Sequence, residues 1–129
     1  MMKKRFWILM FCIALAPGFA GAHEGEAHEE NTGAVQKVTG EVVDLACYLG
    51  SGGKEKGPGH RDCAQKCIVS GLPVGIKTAN GLYLVVSSEH QPVNKELAPL
   101  ASKKVVAEGT VSESNGVHLL AMRKVTVVE

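Results

Sequence analysis

Cys47, His60, Cys63 and Cys67 form the string Cys-(x12)-His-(x2)-Cys-(x3)-Cys. Three sulfurs and one imidazole are the donor inventory of a four-coordinate soft-metal centre. The chain has 4 cysteines, and Cys12 lies in an N-terminal apolar stretch that is expected to be removed. The three that remain cannot all pair with one another. In an oxidising compartment an odd count leaves either a disulfide with a spare thiol or a set of ligands.

Helical spacing separates these chemistries. At about 100° per residue, His60, Cys63 and Cys67 fall within an arc of about 60°, on one face. Residues at i and i+4 have Cβ atoms about 5–6 Å apart, whereas a relaxed disulfide wants about 3.5–4.5 Å. A Cys63–Cys67 bond would therefore strain the turn. Two thiolates on one metal, each at about 2.3 Å, sit about 3.7 Å apart and suit the longer separation. A disulfide from Cys47 to Cys63 or Cys67 is sterically open, and it would pin the intervening loop. Cys-x3-Cys is not the Cys-x2-Cys of thioredoxin-like redox motifs, and His60 precedes the cysteines, which is the wrong order for haem attachment.

The expected cofactor is one transition metal ion, zinc or copper(I), held by Cys47, His60, Cys63 and Cys67. Cys3His suits zinc. Soft thiolates in an exported protein also suit copper(I), and His23 and His28 near the mature N-terminus tilt the balance towards copper. Two alternatives stand beside this reading. One is a disulfide-stapled module that binds a protein or glycan partner. The other is a thiol–disulfide redox protein.

Other polar residues carry less. His118 and Met122 share a strand face, but Leu120 lies between them on that face, so packing is the expected role. His90 precedes a proline loop and is expected in solvent. Asp44 sits among apolar residues, where it would either orient His60 as an acceptor or cap a bend. Tyr48 is expected in the core. No Ser/His/Asp order, phosphate-binding glycine motif or acid pair is visible, so catalysis is not expected.

The elements that position these residues begin after an export signal. Lys3, Lys4 and Arg5 precede an apolar core from Phe6 to Ala16, too short to span a bilayer. Ala20-Gly21-Ala22 supplies a cleavage box, so residues 1–22 read as a signal peptide and His23 as the mature N-terminus. Phe11 is too bulky for a lipoprotein box at Cys12. The expected location is periplasmic or secreted, with no stable membrane insertion after cleavage. Cleavage removes three of the 14 basic residues and none of the 13 acidic ones, leaving a net charge of −2. That charge excludes an electrostatic nucleic-acid binder.

Residues 23–34, His- and Glu-rich, read as a disordered leader. Residues 35–129 read as one small β-domain. A first strand is expected from Val35 to Cys47, with a bulge or bend at Gly40 and with Val43, Leu45 and Cys47 on one face. A glycine-rich loop follows over 50–59, expected to be mobile unless its ends are tied down. A short helix is expected from His60 to Ser70, closed by Gly71. Strands at 74–78 and 82–86 meet at Asn80-Gly81, irregular turns cover 93–100, and a last hairpin turns at Ser114-Asn115-Gly116. The fold class is therefore mainly β, a small five-stranded OB-like barrel with a short Cys-bearing helix inserted after the first strand.

The run Gly40-Glu41-Val42-Val43-Asp44, then Cys47-Tyr48, His60-x-x-Cys63-Ala64-x-x-Cys67 and Gly71-x-Pro73-x-Gly75 resembles a group of small exported bacterial OB-like domains. The resemblance covers roughly residues 38–128. It implies the barrel fold and an exported location, and it marks the Cys/His string as the group's signature. It implies no activity. The expected partners are a metal ion and a periplasmic protein.

Overall fold

The computed structural model describes residues 33–128. The expected signal segment, Cys12, His23 and His28 lie outside the described residues. Ten-residue β1 (Val35–Asp44) leads into α1 (Leu45–Gly50), a loop with a 3-10 turn at Pro58–His60, and α2 (Arg61–Val69). Then come β2 (Val74–Lys77), β3 (Leu82–Ser87), α3 (Asn94–Leu97) with a 3-10 turn at Ala98–Leu100, β4 (Lys104–Ser114) and β5 (Val117–Val127).

The strands close into a barrel in the order β1-β2-β3-β5-β4. Neighbours are antiparallel except β3 and β5, which run parallel. The first part of β1 pairs with β4 (Val35 opposite Thr110) and its end pairs with β2 (Asp44 opposite Val74). One long strand thus holds two sides of the barrel. This is the five-stranded OB-like order, with helical turns between the third and fourth strands and helices inserted after the first.

Inward positions alternate along β1, where Val38, Gly40 and Val42 are buried and the two valines join Ile76, Val85, Val105, Ala107 and Leu120 from the other strands in one core. Helix α2 closes one end. Its Ala64 and Ile68, four apart, enter the core at 1% and 0% exposure, and burying an Ile side chain contributes about 1.5–3 kcal/mol. Cys63 and Cys67 stand one residue before each anchor. Fixing Ala64 and Ile68 inward therefore fixes the two cysteines about 100° round the helix, at the rim.

The C-terminus of α2 is fastened. Leu72 N–H donates to Cys67 O at 3.2 Å and Gly71 N–H to Ile68 O at 3.0 Å, the closure expected of a helix ending at a glycine. Asn94 Nδ2 donates to the carbonyls of Ile68 and Leu72, both at 2.7 Å. The last hairpin turns with Asn115 at φ 51° and Gly116 at φ 81°, a conformation that Asn-Gly adopts at low cost.

Two expectations are corrected, and the condition set on the loop is met. The first strand ends at Asp44, not Cys47, because the Asp44 side chain caps α1 by accepting from Ala46 N–H and Cys47 N–H, both at 3.1 Å. Leu45 and Cys47 are therefore helical and do not continue the strand's alternation. The register shift falls at Glu108/Gly109, so the bulge, though not the bend, expected at Gly40 is corrected. The 50–59 loop is tied down: Ser51 Oγ accepts from Lys54 N–H at 3.1 Å and Glu55 N–H at 2.9 Å, and Gly57 N–H donates to Glu41.

Candidate metal centre

Helix α1 brings Cys47 to the barrel rim. Leu45 N–H donates to Pro73 O at 2.9 Å, which pins the first turn of α1 to the entrance of β2. Gly75 lets the two come close, because a Cβ there would lie 2.5 Å from Leu45 Cδ2. Helix α2 presents Cys63 and Cys67 opposite, and the 3-10 turn ending at His60 delivers the imidazole.

All three cysteines are free thiols. Cys47 Sγ lies 3.9 Å from Cys67 Sγ. That is about twice a disulfide bond length of about 2.05 Å, and close to the roughly 3.8 Å spanned by two thiolates on one tetrahedral metal. Donor atoms of Cys47, His60 and Cys63 lie within 4.8 Å of one another, and so do those of Asp44, Cys47 and Cys67. Cys47 belongs to both triplets. Each of the four sequence-predicted residues falls in one triplet or the other, and Cys/His groups placed in this way could hold a metal ion.

His60 is held from behind. Its Nδ1 lies 2.7 Å from Glu55 Oε2. A proton on Nδ1 donated to that carboxylate leaves the lone pair on Nε2, which has no hydrogen-bond partner and is buried. A carboxylate that orients the far nitrogen of a histidine is the usual support of a metal-binding imidazole. Glu55 was not singled out from the sequence. Nothing in its neighbours marks it, because its placement depends on the fold of the Ser51 loop.

Of the two roles expected of Asp44 the structure shows the cap, and its second oxygen faces His60 beyond hydrogen-bond reach. One oxygen caps α1, and the other, Oδ2, faces His60 Nε2 at 3.7 Å.

Two of the thiols, Cys47 and Cys63, are held towards their protonated form. The Asp44 carboxylate beside Cys47, partial desolvation and the Cys67 thiol together push Cys47 from 9.0 up to about 12. Burial of its sulfur, then the Cys67 thiol, pushes Cys63 up too, with the Cys47 thiol pulling the other way. Cys63 as a residue is exposed, yet its sulfur faces the cluster. A metal must displace these protons, so binding weakens as pH falls.

The remaining candidates lie elsewhere. Met122 is buried in the core at 3% exposure. His118 packs on Tyr83 with ring centroids 5.1 Å apart and pairs with Glu113 at 3.7 Å. His90 is exposed, and Tyr48 is half-buried against Gly53. An apolar groove of about 450 Å³ runs between α1 and the barrel, lined by Leu45, Leu49, Pro73, Leu82, Leu84 and Val117. Among the described residues no helix is long and apolar enough to cross a membrane.

No protein-family model, curated protein or solved structure matches the chain, so the functional reading is carried by the site itself.

Proposed function

We propose that this chain is an exported transition-metal-binding protein that takes one zinc or copper(I) ion at Cys47, His60, Cys63 and Cys67, for storage, delivery or sensing. The observation that carries the reading is the convergence of two donor triplets on the Cys47 sulfur. The buried, unpartnered His60 Nε2 supports it, because such an atom is costly unless something binds it. The reading includes no enzymatic step.

The test is a set of thermal melts under reducing conditions, with and without zinc, for the wild type and Cys47→Ser. Metal at about one hundred times Kd stabilises the native state by about 2.7 kcal/mol, a rise of roughly 10–20 °C in Tm for a domain of this size. Cys47→Ser removes a donor from both triplets and should lose most of that rise. An equal rise in both proteins would remove the cluster as the site.

A second reading draws on the 3.9 Å separation of Cys47 and Cys67. Closing it by about 2 Å would make a disulfide that staples α1 to α2 and leaves Cys63 free. The domain would then be a binding module whose apolar groove beside α1 engages a protein or glycan partner. That state shows no metal-dependent change in Tm.

A further inference from the structure

Asp44 is the residue that a four-ligand Cys/His centre leaves unexplained. Its side chain has no solvent exposure, and a buried carboxylate is costly unless it is paired or bound to a metal. Oδ1 is occupied by the backbone N–H groups of Ala46 and Cys47. Oδ2 has no hydrogen-bond partner, and neither does His60 Nε2 facing it at 3.7 Å. That separation is too long for a hydrogen bond. It is close to the roughly 3.4 Å between a nitrogen and an oxygen held by one zinc ion. Both orphaned atoms therefore face a place where an ion would satisfy them together. Asp44 also offers an oxygen within 4.8 Å of the Cys47 and Cys67 sulfurs.

We infer that Asp44 is a further ligand of this centre, binding through Oδ2 beside Cys47 and Cys67, and that its carboxylate selects a divalent ion of the zinc class over copper(I). The inference rests on the metal-binding reading and deepens it. Zinc accepts sulfur, nitrogen and carboxylate oxygen in one shell. Copper(I) prefers soft donors and gains little from a carboxylate. Charge acts in the same direction. Three thiolates and one carboxylate carry four negative charges, which a divalent ion offsets better than a monovalent one. The leader histidines tilt the sequence towards copper, whereas the buried carboxylate tilts the site towards zinc.

Asp44→Asn is the informative variant. Asparagine caps helices about as well as aspartate, so Oδ1 can still accept from Ala46 and Cys47 while the anionic donor is lost. Zinc affinity is measured by competition with a chromophoric chelator, and copper(I) affinity by competition with a copper(I)-specific chelator, both anaerobically with reduced protein. The expected result is a loss of tenfold or more for zinc and less than threefold for copper(I). Unchanged zinc affinity, or equal losses for both ions, would overturn the inference while leaving the metal-binding reading intact. A wild type that binds neither ion would overturn both.

X-ray absorption of the zinc-loaded wild type gives a readout that does not depend on the variant folding. It separates sulfur at about 2.3 Å from nitrogen and oxygen at about 2.0–2.2 Å. At least two light donors, His60 and Asp44, are expected. A shell of three sulfurs and one light atom contradicts the role of Asp44.

Discussion

Glu55 and Asp44 flank His60 on two sides, and the division of labour between its nitrogens follows from them. Glu55 takes Nδ1 at 2.7 Å and leaves Nε2 to face Asp44 Oδ2. Removing such an orienting carboxylate typically weakens metal binding by about 10–100-fold. Glu55→Ala is therefore expected to lower zinc affinity about tenfold. Because the Glu55 side chain is half-exposed, the Tm of the metal-free protein should stay almost unchanged. Competition titration with a chelator, paired with melts of the metal-free protein, checks both halves. Unchanged affinity would make the Glu55–His60 contact a surface ion pair without a role in the site. At this scale the donors were legible in the sequence, because an odd cysteine count and a one-sided His60/Cys63/Cys67 face are properties of residue type and spacing. Glu55 was not legible, since a carboxylate in a glycine-rich loop gains its meaning only when Ser51 folds that loop back.

Helices α1 and α2 turn a short string into a site, and each is anchored by a different device. Helix α1 starts where Asp44 captures two backbone N–H groups. Helix α2 is held by Ala64 and Ile68 in the core and by Asn94 at its C-terminal end. Truncating Asn94 leaves the Ile68 and Leu72 carbonyls without their side-chain donor, and Asn94→Ala is expected to destabilise the domain by about 1–3 kcal/mol. Denaturant unfolding of the metal-free protein measures this, and a change below about 0.5 kcal/mol would show that α2 is held by its apolar anchors alone. The helix closed by Gly71 and the Asn115-Gly116 turn could be read in advance, because glycine and Asn-Gly serve as local signals. The end of β1 could not. Val43, Leu45 and Cys47 alternate as a strand would, and that pattern outweighed the local cap by Asp44, which helix α1 uses together with the tertiary bond from Leu45 N–H to Pro73 O.

The whole molecule is a small barrel with its chemistry concentrated at one rim. The order of strands and helical turns along the chain was enough to expect an OB-like arrangement. The closure that pairs β3 in parallel with β5 is set by packing across the barrel. Two long crossings, β1 spanning β2 and β4 and α2 plugging one end, hold the donors without placing any of them deep in the apolar interior. Asp44 alone is fully buried. A rim site of this kind can load and release an ion without opening the barrel, which suits storage or delivery. The central claim is that Cys47, Cys63 and Cys67 serve as metal ligands and not as a staple. It is tested most directly by native mass spectrometry of the mature protein isolated without chelators, followed by a thiol count after denaturation. The account predicts one bound zinc or copper ion and three reactive thiols. A metal-free protein lighter by two hydrogens, with a single reactive thiol, would contradict it.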